Sequence, residues 1–283
     1  MHTDLECMPC FLHQLIRTSR IVKLPNDTIW KILKETTEFM RSFDHVNPPP
    51  KFAVHMYDLV VRECKCKDPF KETKKQSTEQ VLKLYDKLKE DIEKSEDPLT
   101  TAIKYSACGN VIDFGVSSTY DLMTELQSVF TKPFAMFHID HFKQTLKNSD
   151  WILYLADNAG ESVFDRLLIE KLPVPVVYAV RGGPIINDVT MEDAIEAGID
   201  KVASVTTSGC RAPGTVLEWC SKDFLKLFNS APLIISKGQG NYETLSEEKN
   251  RPIYFVLKAK CDVVSRSLNC KTGDMIFAAS SQI

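Results

Sequence analysis

From Trp151 onward the chain alternates short apolar runs with amphipathic stretches, and few folds accept that alternation. The apolar runs are 151–156, 174–180, 202–205, 232–236 and 252–257, and helical periodicity fills 161–171, 190–197 and 213–228. A strand that is apolar at every position has no face to give to water, so it must be covered on both sides. Helical crossovers between such strands imply a mainly parallel, doubly covered α/β sheet. Ligands of these sheets bind beyond the carboxyl ends of the strands.

Residues 1–148 have a different character. Helical periodicity runs over 5–22, 27–43, 52–63 and 77–94, then from Asp97-Pro98 through Val111 and Ile112, and again over about 119–130 and 139–147. The expected organisation is a mainly helical N-terminal region, 1–148, packed directly on an α/β domain, 149–283. With 283 residues the chain can bury a sizeable core without staples.

The strand ends carry the chemistry. Asp157-Asn158-Ala-Gly160-Glu161 follows the first run and Arg181-Gly-Gly-Pro-Ile-Ile-Asn187-Asp188-Val-Thr190 the second. Thr206-Thr-Ser-Gly-Cys-Arg-Ala-Pro213 and Lys237-Gly-Gln-Gly-Asn241-Tyr-Glu243 follow the third and fourth. All four loops should meet at one sheet edge. Carboxylate and amide oxygens suit a hard divalent cation, and a lysine beside glycine-bearing backbone suits phosphate. Together they are the equipment of phosphoryl chemistry. Each residue also has a plainer reading. Asp157 and Asn158 could form an Asx turn capping the next helix. Asp188 could cap as well, although Thr190-Met-Glu-Asp193 already reads as a capping box there. Lys237 could be a surface lysine, yet it leaves a core strand. Asn110 and Asp113 share a face if their helix continues, or else mark a helix end.

Several classes are excluded or weakened. The net charge of −3 gives no electrostatic case for nucleic acid. No apolar stretch approaches a membrane span, and the first residues lack a secretory leader's pattern, so the expected location is cytoplasmic. GxGxxG, GxxxxGK[ST], GxSxG and HExxH are all absent. His138 and His141 read as a helix start in preference to a metal site.

Taken in order, Gly109-Asn110-x-x-Asp113, Asp157-Asn158-Ala-Gly160-Glu161, Arg181-Gly-x-Pro184-x-x-Asn187-Asp188-x-Thr190 and Lys237-Gly-Gln-Gly-Asn241-Tyr-Glu243 resemble the damage-control metal phosphatase family. Cys7-Met-Pro-Cys10 is similar to the opening motif of its compact microbial-type branch. The resemblance spans essentially the whole chain. It implies a helical N-terminal region beside a three-layer α/β/α domain, and hydrolysis of small phosphometabolites such as sugar phosphates or damaged side products. It also implies one divalent metal (magnesium, manganese, cobalt or nickel) held by Asp157, Asn158 and Asp188. Lys237 would hold the substrate phosphate, Asn110, Asp113 and Glu161 would line the same cleft, and Arg181 is expected to bind substrate phosphate beside them. Asp157 is expected to be a ligand and not the nucleophile. Rival readings are a carboxyl methyltransferase and a non-catalytic metabolite or metal sensor using the same edge.

Nine cysteines, an odd count, argue against a disulfide scaffold. Cys7 and Cys10 could join Cys261, or the close pair Cys64 and Cys66, in a second metal or redox site. Core packing on one helix face explains their spacing equally well.

Overall fold

The computed structural model describes residues 1–109, 126, 130 and 132–283. Asn110, Asp113 and most of the helix expected over 119–130 lie outside the described residues.

Three helices open the chain: α1 (Cys7–Ile21), α2 (Asn26–Ser42) and α3 (Pro49–Cys64). The proline run at 48–50 does not merely break the pattern. Pro49 and Pro50 form the first turn of α3, where a missing N–H costs nothing. These helices bury Phe11, Leu15, Ile32, Phe52, Met56 and Val60 in a core of their own, with the Phe11 and Phe52 rings stacked 4.2 Å apart.

The helix expected over 77–94 is two helices, α4 (Lys71–Leu82) and α5 (Tyr85–Glu93), followed by α6 (Pro98–Cys108). The break falls at 83–84: α4 turns Lys74, Ser77, Thr78 and Val81 inward, whereas α5 turns in Leu88 and Ile92. Asp97 caps α6, accepting a hydrogen bond from the Thr100 N–H at 3.1 Å.

The seven strands are β1 (Met136–Phe137), β2 (Ile152–Leu155), β3 (Val176–Val180), β4 (Ser204–Thr207), β5 (Ile234–Lys237), β6 (Ile253–Lys258) and β7 (Met275–Ala279). They form one sheet in the order β1-β7-β6-β5-β2-β3-β4. Strands β2 to β6 are mutually parallel, and β7 runs antiparallel to β6. The sheet is therefore mainly parallel, as expected, while β1 and β7 had no expectation. Between them come α7 (Ile139–Lys147), α8 (Ser162–Ile169), α9 (Met191–Glu196), α10 (Lys222–Ser230), α11 (Gln239–Leu245) and α12 (Asp262–Ser267).

Alternate residues of the strands enter different cores. Tyr154, Tyr178, Ile235, Tyr254 and Phe277 face the side covered by α5 to α8, with Leu88, Ile103, Phe142 and Phe164. Leu153, Leu155, Ile234, Phe255 and Ile276 face α10 to α12, with Phe224, Tyr242 and Val264. That is a three-layer α/β/α sandwich. The first of these cores joins residues from both sides of position 148.

Two loop expectations are corrected. The stretch 213–228 is not one helix. Ser221 caps the Phe224 N–H at 3.2 Å and so starts α10 only at Lys222. Upstream, Thr215 is buried against Asn241 instead of continuing a helix. Nor is 237–243 an open polar loop: β5 includes Lys237, Gly238 alone makes the turn, and α11 begins at Gln239. His138 and His141 flank the start of α7, where His138 Nδ1 accepts from the Ala279 N–H and His141 Nδ1 bonds the Tyr254 hydroxyl. Among the described residues, no helix is long and apolar enough to cross a membrane.

Candidate active site

Strands are added on one side of β2 up to β4 and on its other side from β5, and the switch between β2 and β5 is the place where parallel α/β sheets open a crevice at their carboxyl ends. Asp157 and Asn158 follow β2 directly. Asp188 arrives from the β3–α9 loop because the two segments pair. Val189 N–H donates to Asp157 O (2.8 Å), Ala159 N–H donates to Asn187 O (3.0 Å), and Asn158 bridges Asp188 in antiparallel fashion. The loop is strained at Ile186, a β-branched residue at φ 45°.

Arg181, at the end of β3, stands behind the acids. Its Nε donates to Asp188 Oδ2 at 2.6 Å, its Nη1 donates to Asn241 Oδ1 at 3.2 Å, and its Nη2 lies 3.6 Å from Asp157 Oδ1. Nη2 is buried and has no hydrogen-bond partner among the described residues. Asn241, on α11, donates to Ala156 O and Lys237 O and so ties β5 to β2.

Asn158 Nδ2 donates to Asp157 Oδ2 (3.0 Å) and Glu161 Oε1 (2.6 Å), which leaves its Oδ1 for the cleft. Below them, Lys237 is fully enclosed, with Nζ 3.2 Å from Glu161 Oε2 and 2.7 Å from Asp165 Oδ1. Asp165 also accepts from the hydroxyls of Ser106, Tyr154 and Tyr178, at 3.0, 2.6 and 2.9 Å. Lys237 and Arg181, the two basic residues expected to meet phosphate, are thus both already engaged with acids.

The electrostatics follow from this packing. Burial pushes Asp157 up to about 6, with the Asp188 charge adding to the rise and Arg181 opposing it. Burial also pushes Asp188 up to about 6, against the pull of Arg181. Glu161 rises to about 7 through burial, against Lys237 and with Asp157. Burial alone would pull Lys237 down, but Asp165 and Glu161 outweigh it and hold the ammonium above its ordinary value. Four carboxyl groups, Asp157, Asp188, Glu161 and Asp165, gather round the two cations Arg181 and Lys237. Two carboxylates and an amide oxygen, all hard donors, in a desolvated, acidic site fit one divalent cation.

A cleft of about 800 Å³ opens above Asp157, Asn158 and Asp188. Its far wall is α1, with Cys7, Cys10 and Gln14, and its near wall includes Gln239, Glu243, Lys260 and Cys261. The three cysteines therefore do meet at one cleft. Burial pushes the Cys7 thiol to about 11 and raises that of Cys10. Among the described residues, no three His, Cys, Asp or Glu side chains are gathered as ligands of one ion.

Four residues of the site were not singled out from the sequence. Asp165 left a signal: it is an acid on the apolar face made by Val163, Phe164, Leu167 and Leu168. Asn241 and Lys260 lay inside recognisable segments without an evident task. Lys74 left none, because its buried pairing with Asp68 (2.7 Å) and Asp193 (2.8 Å) depends on a contact between α4 and α9. That contact braces the capping box of Thr190 and Asp193, just beyond Asp188.

Comparison with known proteins bears on the family and the fold. A model of the damage-control phosphatase ARMT1-like domain matches residues 3–276. Damage-control phosphatase PH1575 of Pyrococcus horikoshii is 34% identical over 98% of this chain and 97% of its own. Protein MJ0202 of Methanocaldococcus jannaschii is 35% identical over 96% of this chain and 93% of its own. A protein of Archaeoglobus fulgidus named damage-control phosphatase is 31% identical over 95% and 96%. The crystal structure of PH1575, described as a DUF89 family protein, aligns with a TM-score of 0.89 at 32% identity over 99% of both chains. With a full-length family match, relatives above 30% identity and the same three-layer fold, this chain belongs to the damage-control phosphatase ARMT1-like family.

Proposed function

We propose that the protein is a cytoplasmic, metal-dependent phosphatase that hydrolyses phosphate esters of small metabolites, such as sugar phosphates or damaged phosphometabolites. One observation carries the reading: Asp157, Asn158 and Asp188 are paired across β2 and the β3–α9 loop at the floor of an open cleft. Membership of a family whose relatives are named damage-control phosphatases supports it.

In this reading Asp157, Asn158 and Asp188 hold the ion, be it magnesium, manganese, cobalt or nickel. When bound, a divalent ion supplies Lewis-acid neutralisation of the phosphoryl oxygens. The chain supplies the rest. Arg181 fixes Asp188 by hydrogen bond and holds Asp157 by charge. Lys237 holds Glu161 in place, and through it the amide of Asn158. The ammonium also sets positive charge beneath the position where phosphate charge spreads in the transition state. The α1 wall limits water and shapes room for a small ester.

The test is phosphate release from p-nitrophenyl phosphate and a panel of sugar phosphates, with each of the four metals added in turn. Release that needs a divalent metal is expected. No release with any metal, from protein of native fold, would leave a non-catalytic sensor as the better account.

A further inference from the structure

We propose that Lys260 is the side chain that receives the substrate's phosphate on the open side of the site. This rests on the phosphatase reading above and adds a binding residue to it. Lys237 and Arg181 are enclosed, and each is paired with acids. Lys260 differs on every count. It follows β6 at the same carboxyl edge, is exposed, and lines the same cleft as Asp157, Asn158 and Asp188. Among the described residues, no carboxylate lies within ion-pair distance of its ammonium, although Asp157, Glu161 and Glu243 all feel its charge.

Its backbone is held as a binding loop would be. The Lys260 N–H donates to Gln239 Oε1 at 2.9 Å, and Gln239 Nε2 in turn donates to Glu243 Oε1 at 2.8 Å and to Cys261 Sγ at 3.5 Å. Ala259 is fixed on both sides, its N–H to Asp274 O at 2.9 Å and its carbonyl from the Gly273 N–H at 2.7 Å. The loop is thus rigid while the ammonium at its tip stays unpaired. A cation anchored in this way, facing acids it does not touch, is placed for an anion that arrives between them.

A lysine that meets the phosphate before and during reaction contributes uniform binding, so its loss raises KM and leaves kcat nearly unchanged. The experiment compares wild-type protein, Lys260→Gln, Lys260→Arg and, as a control for overall charge, Lys226→Gln on the outer face of α10. Affinity for inorganic phosphate is measured by calorimetry with manganese present, and KM and kcat are measured with p-nitrophenyl phosphate. One charged hydrogen bond is worth ten- to hundredfold, so Lys260→Gln should weaken phosphate binding and raise KM by about that factor. Lys260→Arg should recover most of the loss, Lys226→Gln should match wild type, and manganese affinity should not fall in any variant. If Lys260→Gln binds phosphate as wild type does, the assignment is wrong and the phosphatase reading stands. If wild-type protein neither binds phosphate nor hydrolyses any ester, that reading fails and takes the assignment with it.

Discussion

Gly238 and the carboxylate of Asp157 occupy adjoining space: a Cβ on Gly238 would stand 2.0 Å from Asp157 Oδ2 and 2.2 Å from its Cγ. Gly238 also takes φ 81°, a conformation L side chains rarely adopt. The joint between β5 and α11 can therefore approach the end of β2 only as glycine.

Gly238→Ala should displace the Asp157 carboxylate as well as strain the turn. The expected outcome is a loss of turnover of about 100-fold, since small misplacements of reacting groups cost that much. A stability loss on the order of 1–3 kcal/mol should accompany it. Steady-state kinetics beside thermal melts check both, and full activity would mean that the position of Asp157 is immaterial.

Asp157→Asn should trade function for stability. The folded-state value near 6 exceeds the ordinary 3.8, so the native state holds this proton more tightly than the unfolded chain does. Stability from this group is therefore greatest at low pH and falls as pH rises through that window. Removing the charge should stabilise metal-free protein at about pH 7.5 by of order 2 kcal/mol. It should also abolish turnover and the rise in Tm on adding manganese. Asp188→Ala should likewise abolish turnover. Melts with and without metal at two pH values decide the matter; an unchanged manganese response in Asp157→Asn removes it from the ligand set.

Lys237→Met removes the buried ammonium that pairs with Glu161 and Asp165. Breaking such a pair from one side costs about 3–5 kcal/mol. Adding Asp165→Asn removes one orphaned charge while keeping an acceptor for Tyr154 and Tyr178, so the double variant should be more stable than Lys237→Met alone. Urea unfolding of wild type, Lys237→Met, Asp165→Asn and the double variant reads this directly, and additive losses would show that Lys237 and Asp165 are not a unit.

Cys7→Ser with Cys10→Ser should keep the metal content and turnover of wild type within about twofold. Their raised thiols are protonated near neutrality, and thiolate is the form that ligates metal or reacts. Elemental analysis of the purified variant is the check, and a loss of bound metal would establish a second site.

Acid stability gives a separate reading of the helical layer. Lys143 and the hydroxyl and N–H of Thr100 hold Asp97 down to about 2, below its ordinary value. Its contribution at the start of α6 is present above the ordinary 3.8 and is lost as pH falls toward 2. Asp97→Asn should flatten the acid limb of a melting curve between those values without touching activity at neutral pH.

The parallel sheet and the edge where its polar strand ends gather were legible in the chain because both depend on local pattern. Unbroken apolar runs such as Ile152–Leu155 demand cover on two faces, and Asp157, Asp188 and Lys237 were visible as polar residues at strand ends. The capping box of Thr190 and Asp193 was legible for the same reason, since its partners are three residues apart. What the chain could not show was orientation across long separations. That Lys237 turns inward to Asp165, that Arg181 backs two acids while Lys260 faces open space, and that Lys74 braces Asp193 are outcomes of packing between side chains from 7 to 119 residues apart. Sequence spacing decides which side of its own strand or helix a residue takes; only the tertiary structure decides which charges are desolvated together, and at this site that sets what each of them can do.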